Sequence, residues 1–180
     1  MKKFITLLRG INVSGQKKIK MSELQFLFKE MGFREVETYI QSGNVMFSSK
    51  EKTIEKIEAK ISSGIRNKFG FDVQVIVITP EEIEYILKNN PFVKKKKDTK
   101  KLYLTILAKT PLDANIKKMH AVDYSPEEYF IDGKNVYLFV PNGYGKAKLN
   151  NNIFENKLKV FGTTRNWKTI RKLSELAKSH

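Results

Sequence analysis

Cysteine is missing altogether from the 180 residues, which excludes disulfides, thiolate metal sites and cysteine nucleophiles. Histidine is nearly missing too. His120 and His180 are the only two, too few for a histidine-rich metal site, so neither a metal nor a cofactor is expected. Long apolar runs are absent: the longest, Val136–Val140, falls far short of the roughly 20 residues a membrane-crossing helix needs. Lys2 and Lys3 followed by Phe4–Leu8 imitate the start of a signal peptide, but Arg9 ends that apolar stretch too early. A cytoplasmic, soluble protein without a membrane partner is therefore expected. Arginine is also scarce, supplying five of the 34 basic residues. Its planar fork is something lysine does not imitate, so the few arginines mark places where geometry matters. Arg9 and Arg165 stand in the most unusual local sequence.

What is abundant is positive charge. The formal net charge is +15, from 34 Lys+Arg against 19 Asp+Glu, and the excess is spread over both halves of the chain. Such a balance favours polyanionic partners through counterion release and electrostatic steering. It is equally what a lysine-rich composition produces without any such partner. Lys94–Lys97 reads as a solvated linker run.

The order of elements follows from periodicity. Phe4, Ile5, Leu7 and Leu8 predict a buried strand, and a glycine-bearing loop covers 10–20. Ser22–Gln25 has the form of a capping box, with Met21 and Phe26 at hydrophobic-staple spacing, before a helix that stops at Gly32. Val36, Thr38 and Ile40 alternate, Ser42-Gly43-Asn44 turns the chain, and Val45–Ser48 returns as the second strand of a hairpin. Ile54, Ile57, Ile61, Ile65 and Phe69 share one helix face, with Gly70 as the stop, and Val73–Ile78 is β-branched. The sequence of elements is β-α-β-β-α-β, the ferredoxin-like unit. Thr79-Pro80-Glu81-Glu82 caps a further helix, which Asn90-Pro91 ends. From Leu102 the pattern repeats: a strand, a short helix through Met119, a hairpin around Asp132-Gly133, and a helix over about 152–161. A last helix, marked by Trp167, Ile170, Leu173 and Leu176, follows where a fourth strand is expected. The fold class is thus α+β, two ferredoxin-like modules with antiparallel sheets. The first covers 1–79 and the second, with its C-terminal helix, 101–180; a helix and lysine-rich linker over 80–100 joins them.

Four segments invite a functional reading. Arg9-Gly10-Ile11-Asn12-Val13-Ser14-Gly15-Gln16-Lys17-Lys18 joins a strand to a helix, and its two glycines have the separation of a phosphate-binding loop. Gln16 breaks that pattern, because lysine must follow the second glycine, so a nucleoside-triphosphatase is excluded while simpler anion binding and a plain structural turn both stay open. Ser42-Gly43-Asn44 is ordinary turn chemistry placed at a hairpin. Thr163-Thr164-Arg165-Asn166-Trp167 combines an arginine, an amide and the only tryptophan. It serves either to hold phosphate and stack on a base, or to cap and anchor the last helix while Arg165 pairs with a carboxylate. On the strand 136–140, alternation sends Tyr137 and Phe139 to the sheet face away from the helices, where Tyr103 and Thr105 would join them. Aromatics so placed stack RNA bases in RNA-recognition motifs; the alternative is that this face packs against the other module. His120 has no identifiable serine or cysteine partner, and no catalytic constellation stands out.

Thr6–Val13, Thr38–Val45 and Thr164–Trp167 together carry a resemblance. In that order they resemble a family of bacterial proteins called domain of unknown function 1697, over 3 to about 177. The resemblance implies an α+β fold of two ferredoxin-like parts and no established activity. Its motif positions in this chain are Arg9, Gly10, Asn12, Gly15, Lys18, Ser42, Gly43, Asn44, Thr164, Arg165, Asn166 and Trp167; Ser14 stands where a typical member has a second glycine. The expected function is an anion-binding module whose partner is nucleic acid or, alternatively, a phosphorylated small molecule acted on by an enzyme. A protein-interaction domain is the third reading. In the first, Arg9, Lys17, Lys18 and Arg165 would meet phosphates while Asn12 and Asn166 orient the ligand.

Overall fold

The computed structural model describes residues 1–178, so His180 lies outside the described residues. Among the described residues eight strands and seven α-helices follow in chain order: β1 (Lys2–Leu8), α1 (Met21–Glu30), β2 (Arg34–Tyr39), β3 (Asn44–Ser49), α2 (Ile54–Phe69), β4 (Val75–Ile78), α3 (Pro80–Asn89) and the one-turn α4 (Pro91–Lys94). Then come β5 (Leu102–Leu107), α5 (Asp113–His120), β6 (Glu128–Asp132), β7 (Asn135–Phe139), α6 (Asn151–Leu158), β8 (Gly162–Asn166) and α7 (Trp167–Lys178). Two compact units result, one of residues 1–84 together with the end of α7 from Leu173, the other of residues 85–172.

In the first unit the sheet order is β2-β3-β1-β4, all antiparallel. Phe4 and Leu8 of β1 face a core shared with Phe28 of α1, Phe47 of β3, and Ile57, Ile61 and Ile65 of α2. The opposite face, Ile5, Leu7, Met46, Ile76 and Ile78, is just as deeply buried. Gly70, in the left-handed conformation, ends α2 as its sequence position requires. At α1 the expected capping box does not form. The helix begins two residues early, with Lys20 rather than Ser22 as an N-cap that offers no side-chain bond, and Gln25 reaches instead to the Val36 carbonyl. Phe26, the expected staple partner, is exposed and lies under the Lys68 ammonium. The Thr79 box does form: Thr79 N–H donates to Glu82 at 2.8 Å and Glu82 N–H to Thr79 Oγ1 at 3.3 Å.

The second unit repeats the order as β6-β7-β5-β8. A fourth strand, which the sequence pattern does not announce, is therefore present. β8 pairs antiparallel with β5 from Leu107↔Gly162 to Tyr103↔Asn166 and runs through the Thr-Thr-Arg-Asn motif itself. Its two threonines suit a pleated edge, but with no apolar residue in the five it carries no hydrophobic signal. Gly162 is needed there, since a Cβ would sit 3.0 Å from the Ile106 carbonyl oxygen. The β6–β7 turn centres on Gly133-Lys134, one residue later than Asp-Gly implied, with positive φ at Gly133 alone, the pattern of a type II′ turn.

Candidate functional site

The residues singled out from sequence form two groups, one in each unit. The first gathers at the C-terminal end of β1. Asn12 holds its loop together: its Nδ2 donates to the Ile19 carbonyl at 2.9 Å and to the Gln41 carbonyl at 2.8 Å, while its Oδ1 accepts from Ile19 N–H at 2.9 Å. The amide thereby closes the 12–19 segment and ties it to the β2–β3 turn. Across that junction Gly43 leaves room for Ile11, because a Cβ at Gly43 would lie 2.6 Å from Ile11 Cδ1, and its φ is +77°. Leu8 N–H donates to the Gly43 carbonyl at 2.9 Å. Asn44, fully buried, closes the same turn by donating to the Tyr39 carbonyl and to Ser42 Oγ. Two motifs far apart in sequence are thus one packed structural junction.

The tip of the loop is a tight reversal. Gln16 N–H donates to the Val13 carbonyl at 2.9 Å, and Ser14 and Gly15 both have positive φ, +50° and +75°, as a type I′ turn demands. Behind the tip, cations converge on 72–74. Arg9, half-buried, donates from Nη1 to Gln74 Oε1 at 2.9 Å; Lys17 Nζ donates to the Asp72 carbonyl at 2.7 Å; Arg66 Nε lies 3.6 Å from the Asp72 carboxylate. Arg66 meets the Asp72 carboxylate, while Arg9 and Lys17 donate to neutral oxygens. Lys18 and Lys20, also exposed, have no ion-pair or hydrogen-bond partner for their ammonium groups among the described residues. Gly10 and Gly15 are exposed and in the positive-φ region, leaving the loop backbone open to solvent.

The second group sits on β8 and the first turn of α7. Asn166 Oδ1 accepts from Thr169 N–H at 2.8 Å, which makes Asn166 the N-cap of α7. Trp167 is 3% exposed and anchors that helix in the interior. Arg165 is buried, donating to Thr163 Oγ1 at 2.9 Å and to the Thr164 carbonyl at 3.1 Å; burial pulls its pKa down to about 10, so it stays charged at neutral pH. Thr164 is the hub of a cluster that sequence reasoning missed. Its hydroxyl donates to Asn151 Oδ1 at 2.7 Å, accepts from Tyr144 at 3.0 Å, and lies 2.7 Å from Thr105 Oγ1, which must then be the donor. Tyr103 packs on Tyr144 with ring centroids 5.0 Å apart. The Gly143–Asn152 stretch, a glycine pair followed by lysines and three asparagines, was the available signal.

The aromatic sheet face is reassigned by the register. Leu104 pairs with Tyr137 and Leu102 with Phe139, whereas Tyr103 pairs with Leu138 and Thr105 with Val136. Directly paired residues share a face, so Tyr103 and Thr105 lie on the helix-covered side, opposite Tyr137 and Phe139. Tyr137 is fully buried, and Phe139 is covered by Phe92 and by Lys97. Lys97 also pairs with Glu128 at 2.7 Å, so only Lys94–Lys96 of the lysine run remain exposed. Tyr103, Tyr137 and Phe139 therefore do not form one open aromatic face.

Among the described residues no group of histidine or carboxylate side chains is arranged to hold a metal ion, and no helix is long and apolar enough to cross a membrane. Fold and motif geometry define an α+β protein of two ferredoxin-like units whose motifs knit loops to sheets. Residues 1–137 match the family described as "Protein of unknown function (DUF1697)", and the chain belongs to it. Among solved structures it is similar to the conserved bacterial protein SP0830 from Streptococcus pneumoniae, with a TM-score of 0.77 at 24% identity over 97% of this chain and 98% of that one. That likeness concerns the fold. No curated protein matches the sequence.

Proposed function

We propose that this protein is a non-catalytic binding module for nucleic acid, and that it grips the phosphate backbone with the β1–α1 loop of its first unit. The observation that carries the reading is the loop's construction. Asn12 fixes its backbone through three hydrogen bonds, so the exposed cations around the Ser14-Gly15 tip are presented without the entropic cost of ordering a floppy segment. Arg9, Lys17 and Arg66 gather at 72–74 beside this loop, and Lys18 and Lys20 add two exposed ammonium groups. The whole-chain charge of +15 supplies the long-range attraction.

The reading is narrower than base recognition. Trp167 and Tyr137 are buried, so they offer no stacking surface, and binding rests on phosphates alone. Sequence-independent affinity with a steep salt dependence follows. Fluorescence anisotropy of a labelled single-stranded RNA, titrated at several salt concentrations, tests it. Expected is binding at low ionic strength that weakens log-linearly with salt and is indifferent to base sequence. Undetectable binding at the lowest salt overturns the proposal.

A further inference from the structure

Each four-stranded sheet has two edge strands, and an open edge is a row of backbone groups ready to pair with another chain. On three of the four edges a side chain of the same unit occupies an outer backbone group. At β2 the Val36 carbonyl accepts from Gln25 Nε2 at 2.6 Å, and a bulge with Glu35 at φ +50° interrupts the strand. At β4 the Val77 N–H donates to Glu58 Oε1 at 2.9 Å, and at β8 the Thr164 carbonyl accepts from Arg165 Nη1 at 3.1 Å. β6 has no such cover, and among the described strands it alone contains no buried residue.

The ladder fixes which groups of β6 are free. Leu107 N–H donates to the Lys134 carbonyl and Val140 N–H to the Lys101 carbonyl, so alternate residues of β7 bond to β5 and Asn135, Tyr137 and Phe139 bond to β6. Their partners Asp132, Phe130 and Glu128 are used in that ladder. The N–H and C=O of Tyr129 and Ile131 point the other way, and among the described residues nothing bonds to them. Phe130, 49% exposed, stands between them on the sheet face. Residues 121–132 hold four carboxylates and no Lys or Arg in a chain of net charge +15, so the strand presents no row of ammonium groups to a second molecule.

We propose that β6 is a self-association edge, through which two copies of this chain pair antiparallel about a two-fold axis at Phe130. Tyr129 of each copy then exchanges two bonds with the partner's Ile131, which uses every outward group, and the two exposed Phe130 rings meet at the close, non-hydrogen-bonded spacing. A register centred on Ile131 sets Tyr129 against the partner's Gly133 in the turn, and one centred on Tyr129 sets Ile131 against the partner's Glu127, outside the strand. Glu128 falls opposite the partner's Asp132, and Lys97, 2.7 Å from Glu128, offsets that pair. A five-residue strand contact is small beside a standard interface of about 1,600 Å², so the dimer is weak, with a Kd of about 0.1–1 mM. The proposal is independent of nucleic-acid binding by the first unit.

Sedimentation equilibrium of the full chain up to about 1 mM, at about 0.15 M salt to screen the net charge, is the test, with NMR of the same samples. Expected is a monomer–dimer equilibrium in which the Tyr129 and Ile131 amide resonances shift as concentration rises. Phe130→Lys, at a half-exposed side chain, removes the ring pair and sets two ammonium groups opposite each other, weakening the dimer at least about fivefold. Asp132→Asn removes the like charge opposite Glu128 while keeping an acceptor for the Tyr85 hydroxyl, and tightens the dimer by about two- to fivefold. A gain confined to the dimer does not arise from a misfolded variant. A strict monomer at about 1 mM, a dimer whose Tyr129 and Ile131 amides do not respond to concentration, or an affinity unchanged by either substitution overturns the proposal.

Discussion

Ser14 adopts a left-handed φ of +50° at the loop tip, in a turn whose other central residue is Gly15. A non-glycine residue there costs about 1–2 kcal/mol, and glycine's extra unfolded-state freedom returns part of it. Ser14→Gly is therefore expected to raise stability by about 0.5–1 kcal/mol in chemical denaturation. Gly43 is the reverse case. Gly43→Ala meets both the positive φ and the Ile11 and Leu8 side chains, and a loss of about 2–4 kcal/mol is expected. Asn12 separates clamp from ligand contact. Asn12→Asp puts carboxylate oxygen against two backbone carbonyls, so it should destabilise the apoprotein at least as much as Asn12→Ala, by about 2 kcal/mol or more. Equal melting temperatures for wild type and Asn12→Asp would rule out the clamp. The sequence made these positions visible as unusual loop residues but left their work open. An asparagine that fixes backbone and one that orients a ligand are the same letter, and the Gln41 and Ile19 carbonyls that distinguish them are set by the fold.

Most elements were legible because burial has a period. The isoleucines of α2 and the capping box before α3 announce themselves in sequence, and the structure has both. β8 was hidden for the opposite reason: a short, polar edge strand owes its place to β5 alongside it rather than to its own composition. The aromatic face was misread from sequence for a similar reason, because register decides which residues of two strands share a side and no single strand reveals it. With β8 in place, Thr164 becomes the centre of a hydrogen-bonded cluster joining β5, β8 and the start of α6. Thr164→Val keeps the shape and removes the hydroxyl, stranding Thr105 and Asn151, at an expected cost of about 2 kcal/mol, whereas Thr164→Ser should cost less than half of that. At the next element Asn166→Ala is expected to lose about 1 kcal/mol and Asn166→Asp very little, since either Asn or Asp caps a helix. Differential scanning calorimetry of the four variants checks both.

For the molecule as a whole, the dominant physical fact is the charge of +15, and the β1–α1 loop is where rigid backbone and exposed cations coincide. Net charge alone would attract any polyanion diffusely, so the sharper claim is that particular lysines touch phosphates. Lys18 and Lys20 are exposed, and replacing them should leave the fold intact. The deciding measurement is the slope of log affinity against log salt for single-stranded RNA, compared between the wild type and the Lys18→Ala/Lys20→Ala double variant. If both lysines neutralise phosphates, the slope becomes shallower by about 1.4, at about 0.7 for each phosphate no longer neutralised. An identical slope in a folded double variant would contradict phosphate recognition by this loop.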